Sequence, residues 1–597
     1  LIVEKLLAEL LRQEDGKAAC FKALAGEKSF LAALVSLISQ LGRAHVTREQ
    51  LQAAFGNWDA KGGTGLPRPR ELRSKDDAVC AVYEAYCAYM EGKHGKHGEM
   101  RLYDLEMLYG EALAVLRSLT EAEAAEKLPW KDICFAGFYQ FDGLSREIIL
   151  ALRRWCNVVV ALPGERVAAG EDYRRSVFAA AEDTFADLSG KSDSLEYVTA
   201  LQGGREPALD FLLRNFRRPL RDSEKVPGGG VVRIWKAADA LTELRLVLRD
   251  VKRSILAGTE PRQIAIVVRR LAAYGGLRRG FDAYGIPARF PETAALAASP
   301  VLNYAKAFLA GLDGTGRRQA EALARFLLLP VQKLMWNVNT ETVKESLRTR
   351  YETDAAALFA AAVLPDEAEW LRTCWQDGQS VRTVEAYCDL IRRLCDERRW
   401  LPRAGRLYKE GGITLEAFQN LTGGCRAIGE ALDHIRNDYD SCGSIQRKMA
   451  PAEFSALLAE TATELQITLQ SGKKDGVVIL EASNLEEQAY DKVYVLGMLE
   501  GVFPYTKQEN WIYSDQERLD LKAMGIDLPG TAQSYHDDVH FFLSACAAAR
   551  KELTFTYYQD DRQPASPYLA EVRDLFTDFP NPGGEMEVPD TPDAALC

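Results

Sequence analysis

Residues 231–268, VVRIWKAADALTELRLVLRDVKRSILAGTEPRQIAIVV, decide the fold. Val231–Trp235 reads as a strand. Asp239 stands where a helix cap belongs, and Leu241, Leu244, Val247, Leu248, Val251 and Ile255 then recur at helical spacing as one stripe. Gly258 stops the helix, and Ile264-Ala265-Ile266-Val267-Val268 follows without a polar residue. Strand, helix and all-apolar strand in so short a span predict a parallel βαβ unit whose strand is buried on both faces. A further helix leads to a turn at Gly285-Ile286-Pro287. The same vocabulary returns far downstream, in Val477–Leu480, Val493-Tyr494-Val495-Leu496-Gly497, a helix over His536–Ala549 and the strand Leu553–Tyr558. Neither half has enough strands to cover its own helices. The pattern predicts one parallel sheet split by a helical insertion of ~170 residues, and no tandem repeat is visible.

Working outward, residues 130–163 repeat the motif. Asp132–Gly137 and Val158–Leu162 read as short buried strands around a helix Arg146–Trp155 capped by Ser145. Residues 1–127 carry apolar spacing of three and four in 1–12, 29–41, 78–90 and 101–118, broken by the loop Lys61–Pro69 and by a Gly/Lys-rich loop around His94 and His97. The expected organisation is α/β, with parallel-sheet domains carrying large all-helical insertions. Residues 1–127 are a helical insertion domain of the first such domain, and 128–230 its second half. Residues 231–305 plus 475–575 form the second such domain, 306–474 its helical insertion, and 576–597 a Pro/Gly-rich acidic linker.

Composition removes several classes. The chain has 597 residues, 47% of them hydrophobic and 27% charged, and a net charge of −12. It can bury several cores, and no apolar run approaches the ~20 residues that span a bilayer. A uniformly basic coat for nucleic acid is absent, although net charge says nothing of local patches. The twelve cysteines are scattered without a CxxC pair and read as small buried hydrophobes in a cytoplasmic protein. His94 and His97 lack clustered acidic or Cys companions for a metal. The chain starts at Leu1 within a helical pattern and carries no signal peptide, so it reads as the middle portion of a longer protein.

Four segments carry a family resemblance. They are Asp132–Pro163 (DICFAGFYQFDGLSREIILALRRWCNVVVALP), Trp235–Pro300 with Glu243 opening the long helix and IAIVVRR ending in Arg269, Val477–Pro504 with VYVLGMLEGVFP, and Tyr535–Tyr568 with FFLSACAAARKELTFTYY and SPYL. With these strings in this order the chain resembles the UvrD/Rep class of helicases. Within that class it is most similar to the AddB/RexB-type subunit of AddAB helicase–nucleases. The resemblance implies that the parallel-sheet domains are RecA-like helicase domains, and that the setting is double-strand-break repair and recombination. It implies an AddA-type partner subunit as motor, DNA as substrate (single strand and duplex end), and scanning of the unwound strand for a hotspot sequence. It implies ATP, Mg²⁺ and an iron–sulfur cluster in the parent, outside this chain, with no membrane.

An ATP-driven helicase needs a phosphate cradle GxxxxGK[ST]. Only Gly26-Glu27-Lys28-Ser29 comes near, without the Gly before Lys. The family class then places an Asp-Glu pair, for Mg²⁺ and water, at the positions occupied here by Ala136 and Gly137; Asp132 and Asp142 fall off the motif. Of two phosphate arginines, the first matches Arg269. The second falls in Ala547-Ala548-Ala549, with Arg550 displaced by two residues, about 200° of helix. Where the class reads His-Ser-Ala-Lys-Gly, this chain has Ser483-Asn484-Leu485-Glu486-Glu487. The expectation is a helicase fold with a defunct motor, Arg269 its nucleotide-binding remnant, no catalytic or metal residues, and no cofactor in this chain. The lone Cys597 has no companions for a cluster.

What remains is DNA binding. Arg392, Arg393, Arg398, Arg399, Arg403 and Arg406 lie in a basic stretch with Trp400 and Tyr408 between them, the combination that tracks single strands. Arg278 and Arg279 belong to a second cluster, and Arg214, Arg217, Arg218 and Arg221 to a third. Solvated helix faces with i,i+4 pairs, such as Asp396 near Arg392, give the same pattern. Two other functions fit the sequence: a fragment of an active UvrD-type ATP-dependent DNA helicase, and a protein scaffold without a DNA role.

Overall fold

A computed structural model of the chain describes residues 2–579 apart from 14–15, 59–67, 93–100, 166–171, 199–203, 275, 291–292, 350–353, 363, 464, 469–474, 486–487, 506–508 and 561. The loop with His94 and His97, residues 580–597 of the expected linker, Cys597, and Glu486 and Glu487 lie outside the described residues. The chain divides into two compact units. One is built mainly from Pro291–Ser471, the other from Leu6–Gly92, Arg101–Phe290 and Gly472–Cys597.

The second of these units contains a six-stranded parallel sheet. Its strands are β3 (Val232–Ala237), β4 (Ile264–Val268), β5 (Ala288–Arg289), β8 (Val477–Glu481), β9 (Tyr490–Leu496) and β10 (Ala549–Tyr558), in the order β3-β10-β9-β4-β8-β5. Strands from both sides of the helical insertion therefore interleave. β4 is buried along its whole length because helices cover both faces. Ile264, Ile266 and Val268 pack with Leu244, Val247, Leu248 and Val251 of the helix Ala240–Leu256. Ala265 and Val267 point the other way, into a cluster with Val539 and Phe542 of the helix Thr531–Ala547. Each buried Ile or Val contributes roughly 1.5–3 kcal/mol, so this strand anchors the domain. Asp239 caps the first helix by accepting from the Thr242 amide at 2.7 Å.

β1 (Asp132–Phe135) and β2 (Asn157–Val160) pair in parallel as a separate two-stranded sheet. They depart from the expected strands buried on both faces. Exposed and half-buried residues alternate along both, and Val159 is 51% exposed. Alternate residues of both strands are thus half-buried at most, where every residue of β4 in the six-stranded sheet is buried. The cap of the helix Gly143–Leu152 is Asp142, whose carboxylate accepts from the Ser145 amide at 2.7 Å, rather than Ser145 itself. An ionised acceptor is the stronger partner for the orphan N–H groups.

The amino-terminal region is helical, with Lys28–Arg43, Arg48–Gly56, Arg70–Glu91 and Leu105–Ser118 as its main elements. The segment after β9 returns to pack among these helices, which nothing in the sequence announced. Tyr513 is fully buried against Phe55 and Trp58 and donates to Asp76. Asp76 also pairs with the buried Arg68, and Glu517 binds both Arg68 and Lys75.

The other unit is a helical bundle around one core that includes Tyr304, Phe308, Phe326, Tyr387, Trp400 and Leu432. Within this unit β6 (Thr293–Ala295) pairs antiparallel with β7 (Gln466–Thr468).

Candidate nucleotide cleft and nucleic-acid face

Ligands of open parallel sheets gather at the carboxyl ends of the strands. β1 ends at Phe135, and the next two residues, Ala136 and Gly137, are exposed and carry no carboxylate for a metal ion. The two flanking acids hold local structure instead. Asp132 accepts from Asn157 Nδ2 at 3.1 Å, and Asp142 is the helix cap. Beyond them the loop docks on the helix Thr531–Ala547. Tyr139 lies over His540 with ring centroids 4.3 Å apart. Gln140 accepts from Gln533 Nε2 at 2.8 Å and donates to Asp537 at 3.4 Å. Burial drives the His540 imidazole down to about 4, which keeps it neutral.

Arg269 follows β4 directly. Its Nε donates to Asp538 Oδ1 at 2.8 Å, and Nη2 lies 2.8 Å from the same oxygen. The other carboxylate oxygen accepts the Tyr505 amide. The guanidinium rests over Phe541, 5.0 Å from the ring centroid, and the neighbouring Arg270 lies 4.1 Å from that of Tyr505. Asp538 is 0% exposed. Burial raises its pKa, opposed by the Tyr505 amide and Arg269. Arg269, the residue expected from the sequence to meet phosphate, is therefore already engaged by a carboxylate of the chain itself. Asp538 escaped the sequence reading, although it stands four residues before Phe542 and seven before Ala545, in line with a buried stripe.

Arg550 differs from the expected helical residue facing elsewhere: it is an exposed residue of β10, since the helix has ended at Ala547. Glu243, at the opening of its helix, is wholly buried. It accepts from Tyr274 Oη at 2.7 Å, the Gly497 amide at 2.9 Å and Thr556 Oγ1 at 2.7 Å. These partners are neutral, and burial raises its pKa. The acid ties the helix to the ends of β9 and β10. Gly497, at φ +70°, is required there, because a Cβ would stand 2.7 Å from Tyr274 Oη. Taken together, these residues do not fit a magnesium–nucleotide: the two positions directly after β1 carry no carboxylate, Asp142 is spent as a helix cap, and the arginine has an internal partner.

Of the second basic cluster, Arg278 stacks over Phe290 at 4.1 Å and Arg279 is exposed. In the third, Arg217 adopts φ +64° and is held by Ser176, Tyr535 and Glu571 beside a cavity of about 750 Å³.

The first basic cluster lies on the helical unit. Trp400 corrects the expectation of a stacking platform. It is 0% exposed, packs edge-on to Tyr304 and Trp336, and donates Nε1 to the Leu394 carbonyl at 3.1 Å. Arg403 is largely buried too, with Nε donating to the Met335 carbonyl and Nη1 3.5 Å from Glu367. Arg392 pairs with Asp433, Arg393 with Asp377, and Arg399 lies over Trp370 at 5.1 Å. Arg398, Arg406 and Lys409 are exposed and have no partner among the described residues. Along the same helix, Glu397–Lys409, Leu401 and Tyr408 are 43% and 41% exposed. Tyr408 is stacked on Phe418 at 5.6 Å, and is the aromatic this face offers. Among the described residues no group of three His, Cys, Asp or Glu is placed to hold a metal ion, and no single helix is long and apolar enough to cross a membrane.

No family model matches the chain. It is similar to the B-type chain of the ATP-dependent helicase/deoxyribonuclease of Geobacillus thermodenitrificans, at 23% identity over 96% of this chain and 52% of the relative. The proteins of the same name from Geobacillus kaustophilus (23%, 97% and 52%) and Bacillus thuringiensis subsp. konkukian (21%, 96% and 52%) are similar to the same extent. The chain is a distant homologue of these AddB proteins and spans about half the length of the curated relatives it matches.

Proposed function

We propose that this chain is the helicase-like core of an AddB-type helicase–nuclease subunit, a cytoplasmic part that binds and guides DNA while a partner subunit supplies the motor. Its relatives are named as subunits of an ATP-dependent helicase/deoxyribonuclease, which supports a DNA substrate, and the setting we assign is double-strand-break repair and recombination. In this reading 1–127 and 128–230 belong to one RecA-like domain, 231–305 with 475–575 form the second, 306–474 is its insertion, and 576–597 leads toward a nuclease domain. ATP, Mg²⁺ and an iron–sulfur cluster belong to the assembly rather than to this chain.

The observation that carries the defunct motor is the pairing at the end of β4. Arg269 is bound to the buried Asp538, while Ala136 and Gly137 stand where metal-binding acids are needed. Support for DNA binding comes from the unpaired Arg398, Arg406 and Lys409 beside Leu401 and Tyr408.

One experiment tests both halves. The protein is expected to hydrolyse no ATP above background, with or without DNA, and to bind single-stranded oligonucleotide in a salt-dependent way. Reversing Arg398, Arg406 and Lys409 to Glu should weaken binding and reduce the salt slope by about 2, at ~0.7 per phosphate contact. Turnover lost on changing Arg269 would favour an active helicase instead. Absence of DNA binding at low salt would favour a scaffold.

A further inference from the structure

We infer that Asp538 is a built-in anion that keeps the arginine at the end of β4 closed to phosphate ligands, so that the site takes a polyphosphate only when that carboxylate is neutralised. The inference rests on reading this sheet edge as a nucleotide site that has lost its metal-binding acids.

The donors around Asp538 are those that receive phosphate elsewhere. Arg269 Nε donates to one oxygen at 2.8 Å, Nη2 lies at the same distance from that oxygen, and the Tyr505 amide donates to the other. A guanidinium fork and a backbone N–H recognise carboxylate and phosphate oxygens through the same charge-assisted bonds. Arg270, exposed beside them over Tyr505, adds a second positive charge. The donor set is thus in place, at the carboxyl end of a central parallel strand, where such sheets bind ligands.

What occupies it is the protein. Asp538 is 0% exposed and sits on a helix fixed by Val539 and Phe542, both fully buried. A tethered anion acts at an effective concentration of millimolar or more, and a competing phosphate must displace it and be desolvated as well. With its backbone fixed on a helix packed against the sheet, the carboxylate stays within reach of Arg269. The same side chain therefore satisfies Arg269 and excludes a nucleotide's phosphates, and the site is shut even where arginine remains.

The test uses sodium tripolyphosphate as the probe, at low ionic strength, with calorimetric binding to the wild-type chain, Asp538→Asn and Asp538→Asn/Arg269→Gln. Asn keeps an acceptor for the Tyr505 amide and removes the charge. The single variant is expected to bind at least about tenfold more tightly than wild type, about 1.4 kcal/mol. The Arg269→Gln change should abolish the gain. Equal affinity in wild type and a cooperatively melting Asp538→Asn variant overturns the inference, as does a gain that survives loss of Arg269. Should the Asn variant fail to fold, Asp538→Ser is read in the same way. ATP hydrolysis by the wild-type chain would break the functional reading instead, a result these binding ratios do not produce.

Discussion

Arginine appears in two settings in this molecule, and they behave as different residues. Arg269 has 15% of its side chain exposed and faces an acid with none exposed. Arg398 and Arg406, on the helical unit, face water with no partner among the described residues. A charge taken out of water must be matched, so Arg269 and Asp538 define each other's geometry. A charge left in water costs little and remains available to a polyanion. Arginine count along the chain does not separate the two; the burial of the opposing acid does.

The comparison breaks most visibly at Arg269. Its replacement by Ala leaves Asp538 buried without a cation, and about 3–5 kcal/mol of stability should be lost. Arg398→Ala should stay within about 0.5 kcal/mol of wild type. Urea unfolding of the two variants checks this. Equal midpoints would mean that the buried pair does not hold the sheet edge.

A smaller effect is expected at His540, in the same layer. Its imidazole is neutral in the folded chain, with a pKa driven to about 4 against an ordinary value near 6.5. The unfolded chain binds the proton more readily. The stability this contributes is complete above about pH 6.5 and is lost progressively as pH falls toward 4. The upper bound is about 3.4 kcal/mol, since each unit corresponds to about 1.36 kcal/mol. Asp538, whose pKa burial raises, acts with the opposite sign in the carboxylate range, so the wild-type profile alone mixes the two. His540→Phe keeps a ring against Tyr139 and removes the titration. Its melting temperature should fall less than that of wild type between pH 7 and pH 4.5; parallel profiles would show that His540 is not held neutral.

Much of this was legible where periodicity is strong. Ile264–Val268 could only be a strand covered on both faces, and the split sheet follows from the apolar strands on either side of the insertion. Alternation failed at β1 and β2, because a run such as Val158-Val159-Val160 is equally apolar whether or not a helix lies over it. The basic stretch misled in a different way. Trp400 and Ala404 are one helical turn apart and both wholly buried, so the apolar face of that helix was written at spacing four between the arginines. Asp538 was hidden by identity: an acid on a buried stripe reads as solvent-facing until its partner, 269 residues away in sequence, is known.

The smallest effect belongs to Arg392. Its guanidinium pairs with Asp433, and the two side chains are 44% and 56% exposed. Water screens such a pair, and holding two long side chains in one geometry costs entropy, so exposed pairs are worth about 0–1 kcal/mol. A double-mutant cycle with Arg392→Ala and Asp433→Ala should return a coupling below about 1 kcal/mol, shrinking further as salt is raised. That weakness bears on DNA binding. A pair held so loosely yields its arginine to a phosphate at little cost, which would add Arg392 to the face made by Arg398, Arg406 and Lys409. A coupling above about 2 kcal/mol would place Arg392 with Arg269 among the arginines that belong to the fold, and would confine the DNA-binding face to the helix Glu397–Lys409.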